Sequence, residues 1–349
     1  GGAYLFNALA SGTAPLVYQW LKDGQPVSKE PELVLTDVSV GDAGLYTVVV
    51  SNAAGSVSSE GAGLTVLVPP MITGQPLGAA VIEGDGMTFE VTAKGTEPLS
   101  YQWYYGGSPL GGETTSILSI ANVTAVNRGG YEVQVSNKAG EVKSEVARLD
   151  VLIKPKLASQ PKGGEMVEGG VYRFEVLASG TAPLVYQWLK DGQPIEGAVS
   201  QSELFLVGAS VSDAGLYTVV VSNAAGSVSS EDAVLAVLVP PLITGQPEGG
   251  AVIEGEGMTF EVSAKGTEPL SYQWYYGGAP LEGETTSKLT IASVTAVNRG
   301  GYEVQVSNKA GVTKSKVARL DVLIKPKLAS QPKGGEVVEG GVYRFEVLA

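Results

Sequence analysis

The phrase Tyr-Gln-Trp occurs four times, ending at Trp20, Trp103, Trp188 and Trp274, and no other tryptophan is present. The intervals of 83, 85 and 86 residues leave each repeat room for one small domain. Two kinds of text surround the phrase. ASGTAPLVYQWLKDGQP contains Trp20 and Trp188, whereas AKGTEPLSYQWYYGG contains Trp103 and Trp274. The order is therefore A-B-A-B, a two-domain unit repeated.

Within each repeat, runs such as MTFEVTA, LSYQWYY, SILSI, YEVQVSN and ARLDVLI alternate apolar and polar residues between Gly, Pro and Asn. Period two places successive side chains on opposite faces, which predicts half-buried antiparallel strands. No segment has the three-four spacing of an amphipathic helix. The fold class expected is all-β, and the 47 Gly and 19 Pro suit many short strands joined by turns.

Two motifs make the class specific: Gly-x-x-Pro-Leu-x-Tyr-Gln-Trp, and Asp42-Ala-Gly-Leu-Tyr46 followed by Ser51-Asn52-Ala-Ala-Gly55. Over essentially its whole length the chain resembles I-set immunoglobulin-like domains, in the form found in large repetitive bacterial surface proteins. The resemblance implies a tandem array of Greek-key β-sandwiches. It makes Trp20, Trp103, Trp188 and Trp274 the central core residues of strand C. It puts Tyr46, Tyr131, Tyr217 and Tyr302 at the tyrosine corner of strand F. The type B repeats depart from it at Asn127 and Asn298, which replace the corner Asp, so a family Asp–Arg pair is not expected there. All four repeats depart from it at the inter-sheet disulfide, because the chain has no Cys. Those positions hold Ala8 and Val48, Val91 and Val133, Val176 and Val219, and Val262 and Val304. A buried Val contributes about 1.5–3 kcal/mol, against about 2–5 kcal/mol for a native bridge, so apolar packing can substitute.

The expected limits are 1–67 for a type A domain lacking strands A and A′, 68–153 for type B, 154–239 for type A and 240–325 for type B. Residues 326–349 are expected to be strands A, A′ and B of a further type A domain. The first and last residues align with the interior of a domain, which suggests a window from a longer repeat protein; head-to-tail strand complementation is the alternative. Between domains the text passes from an apolar strand G directly into Pro-containing joints, such as LTVLVPPMITGQP, with no Gly/Ser spacer. Proline fixes φ and restricts its neighbour, so stiff joints are expected. Leu67, Leu152, Leu238 and Leu323 are expected to pack there.

Composition limits function. His and Cys are both absent, which removes thiolate and imidazole chemistry. Net charge is −13, spread along the chain with no basic stripe, so nucleic acid is not an expected partner. No apolar run is long enough for a membrane helix. The acidic turns Glu83-Gly-Asp85 and Glu254-Gly-Glu256 read as solvated turns, and no metal, cofactor or catalytic residue is expected. With Trp inward, type A domains turn Val17, Leu21 and Val49 outward, repeated as Val185, Leu189 and Val220, where type B has Ser100, Tyr104 and Gln134. This apolar face is a candidate for self-association. The expected function is a structural repeat of a long bacterial extracellular or cell-surface protein, forming a stiff rod, stalk or filament. The alternatives are an adhesin arm binding a protein or glycan, or a spacer on an exported enzyme.

Overall fold

The computed structural model describes residues 2–199 and 201–348. The chain divides into two compact units, Gly1–Lys154 and Pro155–Ala349. Each unit contains two separate hydrophobic cores, and each core is centred on one tryptophan. Among the described residues the only helical segments are four single 3-10 turns, one before each strand F.

The last sandwich shows how sequence makes the fold. Strand F, Gly300–Asn308, pairs antiparallel with strand C, Ser271–Tyr276, and Trp274 lies opposite Val304. Along F, Tyr302, Val304 and Val306 are buried while Glu303 and Gln305 are not, the alternation a pleated strand imposes. On the other side of F lies strand G, Ala318–Leu323, and beyond it strand A′, Gly250–Ile253, runs parallel to G. The opposing sheet is built from strand B, whose halves Met258–Glu261 and Ser263–Lys265 pair with strand E, Lys288–Ile291, and strand A, Leu242–Gly245, respectively.

Strand G is broken between Gly311–Lys314 and Ala318–Leu323, which leaves the Val304 N–H without a backbone partner in the ladder. The Ser315 hydroxyl accepts it at 2.9 Å. Ser59, Ser144 and Ser230 do the same for Val48, Val133 and Val219. A buried donor left unpaired would cost about 1–3 kcal/mol, and Ser144 and Ser315 are the buried polar residues of the described chain.

The third sandwich repeats this plan, with strand B at Val171–Glu175 paired to strand E at Glu203–Val207 and A′ at Gly164–Val167 paired to G at Ala233–Leu238. A glycine precedes each A′ strand where the chain passes close to G. A Cβ on Gly163 would lie 2.2 Å from the Val234 carbonyl oxygen, and one on Gly249 2.2 Å from that of Arg319. Among the described residues of the first sandwich there is no A′ strand, and the last part of G shrinks to Ala62–Leu64.

The strands expected over 326–349 are not formed within the described residues 326–348. Local contacts of the earlier copy do recur. Tyr343 packs on Phe345 at 5.0 Å as Tyr172 does on Phe174 at 4.9 Å, and the Tyr343 hydroxyl donates to Lys333 O as Tyr172 does to Lys162 O. Strands E and G, which hold strands B and A′ in the third sandwich, have no counterpart among the described residues 326–348. Phe345 is therefore 69% exposed where Phe174 is fully buried.

Candidate functional site at the domain joints

At the joint inside the first unit, the residue before the proline pair is held on both sides of its peptide group. Val68 N–H donates to Thr96 Oγ1 at 2.8 Å, and Val68 O accepts from Thr96 N at 3.0 Å and from Asn137 Nδ2 at 2.8 Å. Asn137 Nδ2 also donates to Thr96 O, while its Oδ1 accepts from Ala139 N. The turn that carries the amide is thus locked before the amide reaches the linker. The second unit repeats the arrangement. Val239 N–H donates to Thr267 Oγ1 at 2.7 Å, and Val239 O accepts from Thr267 N at 3.0 Å and Asn308 Nδ2 at 2.8 Å. Gly95 and Gly266 permit the approach, since a Cβ on either would come within about 3.1 Å of the linker prolines.

The four tryptophans are buried, each to 3% exposure or less, and so are Tyr46, Tyr131, Tyr217 and Tyr302. Each indole N–H donates to a backbone carbonyl, those of Glu30, Thr115, Gln201 and Thr286. Each tyrosine hydroxyl donates to the carbonyl four residues earlier: Asp42, Asn127, Asp213 and Asn298, at 2.7–2.9 Å. Asn127 and Asn298 keep the turn that Asp makes in type A. Thr124 N donates to Asn127 Oδ1 at 2.8 Å just as Ser39 N donates to Asp42 Oδ2 at 2.8 Å.

The outer faces differ in kind. On the first type A sheet, Val17, Leu21 and Val49 share a face, but each sits opposite a polar residue: Ser51, Thr47 and Gln19 respectively. Val185, Leu189 and Val220 repeat this against Ser222, Thr218 and Gln187. The patch is a diagonal array, not an unbroken stripe. Val17 and Val185 are 56% and 40% exposed, and the other four are half-buried. The type B face knits itself together. Tyr104 donates to Gln134, Lys143 lies 4.6 Å above the Tyr104 ring, and Lys143 pairs with Glu132; Lys314, Tyr275 and Glu303 do likewise. Of the four joint leucines, Leu238 is buried, Leu152 half-buried, Leu67 39% exposed and Leu323 50% exposed, so packing at the joint is not uniform.

The family model described as immunoglobulin domain matches residues 69–137 and 240–308, and that for the immunoglobulin I-set domain matches 155–237. The chain is a tandem array of immunoglobulin domains. It is 29% identical to mouse (Mus musculus) hemicentin-2 over 92% of this chain and 7% of that protein. It is 26% identical to a muscle M-line assembly protein of Caenorhabditis elegans over 96% of this chain and 5% of that one. The chain thus spans only a small part of these relatives. Among solved structures, an I-band fragment from titin aligns with TM-score 0.65 and 23% identity, over 74% of this chain and all of that fragment, a likeness of fold. Both relatives are animal proteins, so the bacterial setting implied by the sequence resemblance gains no support from them.

The immunoglobulin tyrosine corner has an electrostatic consequence. Burial, and then the nearby Asp213 and Asp191 carboxylates, push the Tyr217 hydroxyl up to about 12. Burial likewise raises Tyr46, Tyr131 and Tyr302. The folded state resists forming the phenolate, which the unfolded chain forms near pH 10. The stability held by Tyr217 is therefore complete below pH 10 and is lost as pH climbs through 12. In urea unfolding followed by pH, the stability advantage of the parent over Tyr217→Phe should shrink across that window. A constant difference from pH 9 to pH 12 would contradict it.

The clamp residues Thr96, Asn137, Thr267 and Asn308 were not distinguished by sequence reasoning. Their signal was present: Gly-Thr-Glu-Pro and Ser-Asn-Lys-Ala-Gly recur at fixed distance in both type B immunoglobulin domains. Phe6, Phe89, Phe174 and Phe260 lie outside both sequence motifs, yet each packs between the core Trp and the corner Tyr.

Proposed function

We propose that this chain is a structural repeat segment of a long extracellular or cell-surface protein, in which immunoglobulin domains are coupled stiffly. The domains on this reading are 1–67, 68–153, 154–239 and 240–325. The observation that carries it is the joint clamp: Thr and Asn groups of each type B domain hold the backbone of the residue ahead of its proline pair, Val68 or Val239, at matching distances, so the linker enters that domain fixed. A flexible tether would gain nothing from fixing that peptide, and prolines 69, 70, 240 and 241 remove further freedom. No catalytic step and no cofactor is assigned.

A second reading, self-association through the type A face, is favoured by one contrast: Val17 and Val185 remain open while the matching type B surface is covered by its own Tyr–Lys–Glu contacts. A protein or glycan ligand is an alternative occupant of this face.

Small-angle scattering of the full chain tests the first reading. A globular body of this length would have a radius of gyration of about 20 Å, and a stiff array should exceed it well, with a narrow cross-section. A value near the globular one would overturn the proposal. Sedimentation of the same samples tests the second: if copies associate, replacing Leu21 and Leu189 together by Lys should leave monomers, because outward substitutions spare the core. Association that persists in the double variant would exclude this face.

A further inference from the structure

The clamp fixes one point of the joint. A single point of contact beside a linker leaves rotation about that linker open, so a defined orientation needs a second contact off the axis. In the second unit there is one. Glu165, on strand A′ of the type A domain, pairs with Lys309, in the F–G turn of the following type B domain, at 3.1 Å. Both side chains are more than half exposed, so the pair contributes little to the folding of either domain. Its geometric role is different: it ties strand A′, the neighbour of the strand G that leads into the linker, to the turn that also carries Asn308.

The repeats distribute these charges in a pattern. Strand pairing places Glu165 opposite Ala236, and the positions in register on type B strands A′ are Ala80 and Ala251, opposite Asp150 and Asp321. The Lys follows the turn Asn only in type B, as Lys138 and Lys309; type A has Ala53 and Ala224 there. The acid thus stands on the one type A strand A′ formed among the described residues, and the base on the turn of both type B domains. There the type A domain offers the acid toward its following neighbour, and the type B domain offers the base toward its preceding one. No position of the opposite assignment carries a charge.

We infer that Glu165 and Lys309 are positioning residues by which a type B domain recognises a type A domain as its preceding neighbour, and that their attraction sets the rotation of one about the linker to the other. The inference builds on the clamp as a fixed joint, and its test separates the two. The chain has no Cys, so nitroxide labels can be placed specifically at Asp232→Cys and Glu282→Cys, exposed positions in the third and fourth domains. Distances between them are read by pulsed electron spin resonance on the full chain.

In low salt the parent should give one narrow distance peak. Glu165→Lys or Lys309→Glu should broaden it, with the ratio of main to minor distances falling roughly two- to five-fold, the scale of an exposed ion pair. The charge-swapped double variant should restore the narrow peak, an effect that loss of folding could not imitate. The parent's peak should broaden at about 1 M salt, where charges beyond about 3 Å are screened. Unchanged peaks in both single variants, or a double variant as broad as the singles, would overturn the inference. If Asn308→Ala broadens the peak while the charge variants do not, the clamp stands and charge recognition falls. If the charge variants broaden it and Asn308→Ala does not, recognition stands without the clamp.

Discussion

Val133→Asp should unfold the second domain and leave the third and fourth intact. Val133 is fully buried, faces Trp103 across the strand pair and belongs to the core that includes Val91 and Leu149. Its N–H is already taken by Ser144, and no buried base is near enough to pair with a carboxylate. An uncompensated buried charge costs about 3–5 kcal/mol, and a protein domain is stable by only about 5–15 kcal/mol, with small domains at the lower end. Because each domain closes its own core, the damage should remain local. Hydrogen exchange read by mass spectrometry would show peptides from 87–152 exchanging at unfolded rates, while peptides around Trp188 and Trp274 stay protected. Retained protection around Trp103 would mean that this position is not core.

Phe174→Ala should cost the third domain about 3–5 kcal/mol. The ring is fully buried, stacks on Tyr217 at 4.5 Å and lies 6.0 Å from Trp188. Its removal deletes the ring that packs against both Trp188 and Tyr217 and leaves a cavity between the two sheets. Phe6→Ala should cost less, because Phe6 is already 7% exposed and its core is smaller. Chemical denaturation of the two variants, followed by exchange at the level of each domain, measures both. Equal losses, or a loss under about 1 kcal/mol for Phe174→Ala, would show that the cores do not depend on this ring as argued.

How far the chain could be understood from its sequence follows from what each feature depends on. Strand alternation and the four Tyr-Gln-Trp phrases depend on neighbours within one strand, and they led directly to the buried faces of C and F. The contribution of Phe174 was harder to see, because a strand B aromatic declares its importance only when strands C and F are brought across from it. The clamp depends on residues 28 and 69 positions from Val68, and periodicity carries no information about such distances. The strands expected at 326–349 do not form within the described residues 326–348 for a related reason: the alternation of VYRFEV suits a strand, but a strand exists only where another ladder completes it.

The parallel pairing of A′ with G has a mechanical consequence. A′ lies near the point where the chain enters a domain and G is where it leaves. Tension along the chain would draw these two strands past each other in opposite directions, so their hydrogen bonds would bear the load together instead of opening one at a time. With no disulfide behind them, failure of that ladder would release a whole domain, at most about 3.3–3.6 Å of slack for each residue paid out. Each of the three domains that carries this ladder would then be an extensible link that needs no change of redox state to reset.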